Sequence, residues 1–303
     1  MAYYCSDCPR NCGAQRDGTT GKGFCGAGET IDVAKVMRHM WEEPCLGGSK
    51  GVENIFLYGC NLKCVYCQNY KINGTDNTFD KEKLRRLGTK EFGALLTEAA
   101  QTGASAVGIV TGDHCIRQIS EAITDDVRHK IKVPVIFNCS GYAKPETLEL
   151  LRGKIDIFMP DLKYVDGSLS LDLSRASDYP SVSIAAIKKC FEMTGPAVFG
   201  SDGLLKKGVL VRHLVLPGQI RNTLGVIDLL NSTFAPGDIV FSLMSQYLPV
   251  PGLCLPEKYK RLSGRLTKAE HKKAAEYFAN AENLTLGFTQ DLSSSDEAFV
   301  PDF

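Results

Sequence analysis

The chain of 303 residues carries no net charge, because its 35 lysines and arginines equal its 35 aspartates and glutamates. A protein that binds nucleic acid through bulk charge needs a basic surplus, so the sequence predicts no nucleic-acid partner. The chain also lacks the run of about 20 apolar residues that a membrane helix requires. Its N-terminus has no apolar segment of signal-peptide length. We therefore expect no membrane association and a cytoplasmic location.

Cysteine, in contrast, is abundant, with 12 in the chain. In a reducing cytoplasm, clustered cysteines indicate metal binding or catalysis more often than disulfides. Cys60, Cys64 and Cys67 follow a predicted strand with the spacing C-x3-C-x2-C. A structural zinc ion or a four-iron, four-sulfur cluster takes four ligands, so three thiolates leave one iron with an open position for a small molecule. The alternative is a zinc loop that takes Cys45 or His39 as its fourth ligand.

A second group of cysteines precedes this loop and consists of Cys5, Cys8, Cys12 and Cys25. Four thiolates would close a tetrahedral zinc site or hold a second iron–sulfur cluster, and the spacing does not choose between them. The surrounding segment is rich in glycine and has little periodicity, so a metal would supply stability that apolar burial cannot. Cys45 could replace one of the four ligands. The remaining cysteines are predicted to be small core residues, namely Cys115, Cys139, Cys190 and Cys254.

Predicted strands and helices alternate from residue 52 onward, which indicates a parallel sheet built of βαβ units. Polar residues gather where these strands end, and in a parallel α/β barrel the active site lies at the carboxyl ends of the strands. We predict three parts: a cysteine-rich metal-binding extension over residues 1–50, a barrel over 51–290 and a C-terminal tail over 291–303.

The three-cysteine spacing resembles that of the radical S-adenosylmethionine (SAM) enzymes, and Tyr66, before the third cysteine, matches their usual aromatic residue. The segments HMWEEPCLGG, FNCSGY, IFMPDLKY and GVLVRHLVLPG are similar to the pyruvate formate-lyase-activating-enzyme-like subgroup, which itself resembles the glycyl radical enzyme activases. The resemblance covers residues 5 to 303. It implies an α/β fold, a partial (β/α)6 TIM-like barrel, with a 4Fe-4S cluster on the three cysteines and SAM bound to the open iron.

The resemblance also implies residues that bind SAM at the ends of the second and third strands. Gly112 allows close approach of the backbone, and Asp113 can accept a hydrogen bond from the SAM ammonium, although a plain polar loop is the alternative. Asn138 and Ser140 can bond the ribose hydroxyls or the carboxylate.

Later strands supply further candidates on the same resemblance. Lys163 offers a positive charge to the SAM carboxylate or to a substrate acid, and Asp161 can hold that lysine in place. Arg212 and His213 alternate across a strand, so at most one faces the interior. The resemblance favours Arg212, but His213 is nearly as good a candidate. Gln246 at the end of the sixth strand could contact substrate or serve only in a turn.

The resemblance implies an enzyme that reductively cleaves SAM to a 5′-deoxyadenosyl radical, which then abstracts hydrogen from a partner. A flavodoxin or ferredoxin would supply the electron, and the partner would be a glycyl radical enzyme or another protein or peptide. The alternatives are a radical SAM enzyme that acts on a small molecule or peptide, and a zinc-stapled binding module without chemistry. An exposed cluster needs low oxygen, which predicts an anaerobic or facultative host.

Overall fold

The computed structural model describes residues 3–18, 21–75, 78–252 and 255–294. Cys254 and residues 295–303 of the predicted tail lie outside the described residues. The strands are β1 (Tyr3–Tyr4), β2 (Gln15–Arg16), β3 (Ile31–His39), β4 (Val52–Leu57), β5 (Arg85–Leu87), β6 (Ala106–Val110), β7 (Val135–Cys139), β8 (Ile157–Pro160), β9 (Val198–Phe199), β10 (Leu205–Leu214), β11 (Val240–Met244) and β12 (Gly287–Thr289).

The helices pack mainly on the outer face of the sheet. They are α1 (Pro44–Gly47), α2 (Thr89–Ala99), α3 (Ile116–Ala122), α4 (Asp125–Lys130), α5 (Pro145–Leu148), α6 (Gly167–Ser174), α7 (Tyr179–Thr194), α8 (Ile220–Thr233) and α9 (Lys268–Ala279). Short 3₁₀ turns cover Lys81–Lys83, Glu149–Leu151, Glu257–Ser263 and Leu292–Ser294.

The main sheet follows the order β12-β11-β10-β8-β7-β6-β4-β3-β5, with β9 paired beside β10. The strands from β4 to β12 along this order are parallel. The other pairings are antiparallel, including that of β9 with β10. The α/β fold with a parallel sheet, predicted as a partial barrel, is therefore confirmed.

The strand β3 departs from the prediction, because its residues belong to the segment that we expected to be loop-rich. It pairs antiparallel with β4 along most of its length. Ile31 and Val33 are buried in the core, but Asp32 and Lys35 between and after them obscure the alternation. The sheet thus extends across the predicted boundary at residue 50, and the division into an extension and a barrel stays a prediction.

Two helical details also differ. The helical spacing of Ile116, Ile119 and Ile123 predicts one helix over residues 115–129, but the structure has α3 and α4. Thr124 separates them, because its Oγ1 accepts a hydrogen bond from the backbone N–H of Val127 at 3.3 Å. Such a side-chain cap begins a new helix. Helix α2 is capped by Gly88 rather than by Thr89, and the Glu91 carboxylate accepts from the Gly88 N–H at 2.7 Å. Helix α6 was not predicted.

The inner face of the barrel is closed at the amino ends of the strands. Cys45 and Leu46 of α1 pack there with Val52, Ile157 and Val240. This leaves the polar ends of the strands on the opposite side as the open end of the barrel. Among the described residues we find no helix with the length and apolar character needed to span a bilayer.

Candidate active site

A cavity of about 210 Å³ occupies the inner face of the barrel. The side chains predicted from sequence that line it are Cys64, Tyr66, Cys67, Asn138, Asp161, Lys163, Arg212 and Gln246. They come from the loop after β4 and from the carboxyl ends of β7, β8, β10 and β11. The parallel sheet thus brings together residues that lie up to 182 positions apart in the chain, from Cys64 to Gln246.

The three-cysteine loop begins where β4 ends. Its turn depends on left-handed backbone at Gly59 (φ 96°) and Lys63 (φ 53°), and the first of these is strongly favoured by glycine. Burial and, to a smaller extent, the neighbouring Cys64 raise the pKa of Cys60 to about 12 and that of Cys67 to about 11. The three thiols therefore lie within electrostatic reach of one another. Iron ions would supply the positive charge that three thiolates in this place require.

Hydrogen-bond donors surround these sulfurs. The Ser174 hydroxyl donates to Cys64 Sγ at 3.0 Å, and the Leu62 N–H donates to Cys60 Sγ at 3.3 Å. The Asn73 side chain lies near Cys67, and its buried Nδ2 has no hydrogen-bond partner among the described residues. A sulfur of a bound cluster would give this amide its partner, so the loop fits a 4Fe-4S cluster.

The single-zinc alternative required Cys45 or His39 as a fourth ligand. Cys45 packs in α1 at the closed base, the full length of a strand away from the loop. His39 lines the cavity, but its ring faces Glu42, with Nδ1 3.2 Å from Oε1. Within the described part of the chain, no three His, Cys, Asp or Glu side chains lie close enough together to bind one metal ion.

Lys163 brings a positive charge into the cavity beside the loop. Its ammonium contacts the carboxylate of Asp161. Burial opposes the charge, but Asp161 and Cys64 outweigh burial and raise the pKa of Lys163 well above its usual value. The Tyr179 hydroxyl accepts from the Lys163 N–H at 3.0 Å and holds the backbone in place. A permanently protonated amine here suits a ligand carboxylate.

Three predicted SAM-binding residues lie outside the cavity wall. The Asp113 carboxylate accepts from the Ser140 N–H at 2.8 Å and ties the ends of β6 and β7 together. A Cβ at Gly112 would lie 2.3 Å from the ring of Phe137, so this glycine serves packing between strand and ring. Gly112 and Asp113 lie in a loop at the end of a strand, as the alternative interpretation expected. The contact of all three residues with SAM stays a prediction.

The choice between Arg212 and His213 is decided by the alternation of β10. Arg212 faces the cavity, whereas His213 faces outward and is fully buried. The His213 ring nitrogens lie 2.7 Å from the Leu162 carbonyl and 2.9 Å from the Thr223 hydroxyl. Burial lowers the pKa of His213 to about 4, so this ring is neutral and structural.

The partners of Arg212 were not predicted from the sequence. Its guanidinium contacts both Glu42 and Glu43, with Nε 2.7 Å from Glu43 Oε1. These glutamates precede α1 in the segment HMWEEP, which we had used only as a mark of resemblance. Two adjacent acids before a proline, in a stretch that is otherwise apolar or glycine-rich, were the available signal.

The N-terminal cysteines do not behave alike. Cys5, Cys8 and Cys25 are buried, whereas Cys12 is exposed. Burial raises the pKa of Cys8 to about 11, and Cys25 and Cys5 add to the effect, so these three thiols are neighbours. The predicted four-ligand set thus contains three buried thiols within electrostatic reach of one another and one exposed member. A zinc ion or second cluster at these cysteines stays a prediction.

This segment packs directly against the three-cysteine loop. The Arg10 Nε donates to the Asn61 carbonyl at 2.8 Å, and its guanidinium also donates to the Ser174 carbonyl at 2.9 Å. A Cβ at Gly59 would lie only 2.7 Å from the carbonyl oxygen of Cys25. The two cysteine-rich regions therefore share an interface at the start of the loop.

A partial parallel barrel with a three-cysteine loop at its open end is typical of a class of iron–sulfur proteins. The radical SAM superfamily model matches residues 54–228, which is more than half of the chain. The chain therefore belongs to the radical SAM superfamily. Membership implies a 4Fe-4S cluster and SAM, in agreement with the fit of the loop.

The chain is also similar to individual proteins. It is 28% identical over 287 residues to the Uncharacterized protein MJ0674 of Methanocaldococcus jannaschii, over 93% of this chain and 76% of that protein. Methylornithine synthase (PylB) aligns with a TM-score of 0.50 at 15% identity, over 77% of this chain and 63% of PylB. Streptococcus suis SuiB bound to S-adenosylmethionine aligns at 0.49 and 16%, over 77% of this chain and 48% of SuiB. The chain thus spans less than two thirds of these solved structures, and PylB supports the fold alone.

Proposed function

We propose that the chain is an enzyme that cleaves SAM reductively and uses the resulting radical to take a hydrogen atom from a substrate in the cavity. The observation that carries this proposal is that Cys64 and Cys67 open into the same cavity as Lys163. A cluster on Cys60, Cys64 and Cys67 would supply the electron that splits SAM into methionine and the 5′-deoxyadenosyl radical. A flavodoxin or ferredoxin is the proposed source of that electron.

In this proposal the residues of this chain bind SAM and shield the reacting atoms from water. Lys163 neutralises the carboxylate of SAM, and Asp161 fixes the direction of its ammonium. Asn138 offers an amide to the ribose. Apolar side chains of the wall, including Leu214 and Met244, exclude water from the reacting atoms.

The subgroup resemblance proposes the glycine of a glycyl radical enzyme as the hydrogen donor. The second candidate is a small molecule or peptide, and one observation favours it. The cavity contains the charged side chains Glu42, Glu43 and Arg212, for which a glycine residue has no complementary group. We also propose a cytoplasmic, oxygen-poor setting and a metal, either zinc or a second cluster, at the N-terminal cysteines.

The test uses anaerobically reconstituted protein with dithionite and SAM, and 5′-deoxyadenosine is measured by mass spectrometry. We expect product from the native chain and from Cys190→Ala, whose thiol is buried under α7 away from the cavity. The Cys64→Ala variant should fall to background because it lacks a cluster ligand. Product from Cys64→Ala at the native rate, or zinc without iron in the native protein, would overturn the proposal.

A further inference from the structure

The wall of the cavity that lies away from the cysteine loop is a network of charged and polar side chains. We call it the Glu–Arg floor, and it consists of His39, Glu42, Glu43, Asn54 and Arg212. The Asn54 amide donates to Glu42 Oε1 at 2.8 Å, and the guanidinium binds both glutamates. All five side chains line the cavity.

The charges of this floor do not balance. Two carboxylates face one guanidinium when the His39 ring, whose Nδ1 lies 3.2 Å from Glu42 Oε1, is neutral. The side chains of Glu42, Glu43 and Arg212 are only 6%, 5% and 12% exposed. Burial alone would raise the pKa of Glu42, but Arg212 and His39 outweigh it and hold the pKa well below its usual range, so the carboxylate is ionised. Buried charge without a counter-charge is strongly destabilising. The Asp161–Lys163 pair is neutral as a unit and does not offset the surplus.

The barrel is shaped to hold this floor. Asn54 occupies the space above Gly108 on the next strand, where a Cβ would lie 2.1 Å from Asn54 Oδ1. With Asn54 in this position, no residue larger than glycine fits at position 108. Strand β6 therefore carries no side chain beside the Asn54 amide that orients Glu42. A purely apolar barrel interior would not need this arrangement.

Unused hydrogen-bonding capacity lies at the same level of the barrel, on Ser242 behind the cavity lining and on the carboxylates in that lining. Ser242 pairs in register with Arg212, and its neighbours Phe241 and Leu243 face the outer core, so Ser242 faces inward. It is fully buried, and its hydroxyl has no hydrogen-bond partner among the described residues. Each carboxylate oxygen of Glu42 and Glu43 accepts one hydrogen bond from Asn54 or Arg212 and retains a second lone pair.

We propose that the Glu–Arg floor binds a protonated amine or guanidine of the substrate, so that the hydrogen donor is a cationic compound. A single positive charge beside Glu43 would balance the floor, and its N–H groups would donate hydrogen bonds to the free lone pairs of the carboxylates. The exposed Trp41 at the cavity wall would cover the apolar part of such a substrate. This inference rests on the proposed function, since it names the substrate class of that site.

The test measures binding by calorimetry to reconstituted protein with SAM, before reduction, so that no turnover occurs. The probes are n-pentylammonium, 1-pentanol and pentanoate. The variants are Glu43→Gln and the matched control Glu53→Gln, which removes an equally buried glutamate that pairs with Arg38 outside the cavity. We expect n-pentylammonium to bind the native chain and the control alike, and to bind Glu43→Gln about tenfold more weakly. Circular dichroism verifies folding, and Glu42→Gln replaces Glu43→Gln if the latter unfolds.

Equal affinity for n-pentylammonium and 1-pentanol, or an equal loss in the Glu53→Gln control, would overturn the inference. A second arm with the peptide acetyl-Ala-Lys-Ala-amide identifies the source of the cation. Tighter binding of the peptide supports a lysine side chain, and binding of the free amine alone supports a small molecule. Dithionite is then added to every variant. Formation of 5′-deoxyadenosine without any preference for the amine defeats this inference only, whereas no product from the native chain defeats the proposed function.

Discussion

Cys64 and Cys67 line an open cavity at the end of a strand, whereas Cys5, Cys8 and Cys25 are buried in a segment with little regular structure. The first pair is placed to meet a ligand, and the second trio is placed to hold a segment together. A thiol count alone would treat the two regions as equal. Their surroundings differ, because the loop after β4 shares a cavity with the charged side chains of Asp161, Lys163 and Arg212.

The largest expected effect separates the two regions by substitution. In Cys67→Ser the cavity cluster should be lost and SAM cleavage should fall to background, because an iron ligand is missing. In Cys25→Ser the metal of the N-terminal segment should be lost, but 5′-deoxyadenosine formation should stay within about tenfold of the native rate, the lower end of indirect effects on a metal site.

Metal content by plasma mass spectrometry, beside the product assay, checks both variants. Loss of SAM cleavage in Cys25→Ser to the level of Cys67→Ser would contradict the comparison, since the two regions would then act as one site. Zinc lost from Cys25→Ser would identify a structural ion, and iron lost from it would identify a second cluster.

The interface between the two regions can be tested at Gly59. In Gly59→Ala the new Cβ would lie 2.7 Å from the Cys25 carbonyl, at a residue with φ 96°. The matched control is Gly103→Ala, which has φ 84° but no neighbouring atom within 4 Å of a new Cβ. Left-handed backbone alone costs about 1 kcal/mol of the free energy of unfolding, and we expect Gly59→Ala to lose about 2 to 3 kcal/mol. Chemical denaturation measures the free energy of unfolding of both variants. Equal losses would mean that the close approach of the new Cβ to the Cys25 carbonyl costs no stability.

The smallest expected effect is on the midpoint potential of a cluster bound to the three-cysteine loop. Asn73→Asp keeps the oxygen that accepts from the Thr75 N–H at 2.8 Å but removes the amide donor beside Cys67. A hydrogen bond to sulfur stabilises the more negative, reduced cluster, so its loss should lower the midpoint potential by about 60 mV. A redox titration followed by electron paramagnetic resonance measures this shift. The control Asn231→Asp, on helix α8, should leave the potential unchanged.

The regular elements were predictable because their periodicity is local. Strands β4, β6 and β7 are short apolar runs bounded by turns, and helices such as α8 show apolar residues at helical spacing. Strand β3 escaped prediction because charged residues interrupt its apolar alternation, and its pairing with β4 depends on contacts across the sheet. Propensity along the chain cannot report such pairing.

The residues of the candidate site also differ in whether local sequence is enough to predict them. The three-cysteine loop and Lys163 are recognisable from a few adjacent residues. The partners of Arg212 are not, because Glu42 and Glu43 lie 170 and 169 positions away from it in the chain. Likewise the bond of Asp113 to the Ser140 N–H is visible only in the folded loop, whereas its contact with SAM stays a prediction.

Glu42 and Glu43 precede residue 54, where the superfamily match begins, and Gln246 and Gln290 follow residue 228, where it ends. The cavity is thus assembled from a middle segment that the superfamily shares and from flanks that lie outside the superfamily match. In the functions proposed above, the middle inherits the ability to generate a radical, and the flanks decide which molecule meets it. Exchange of the flanks between relatives would then redirect an unchanged radical generator to a new target.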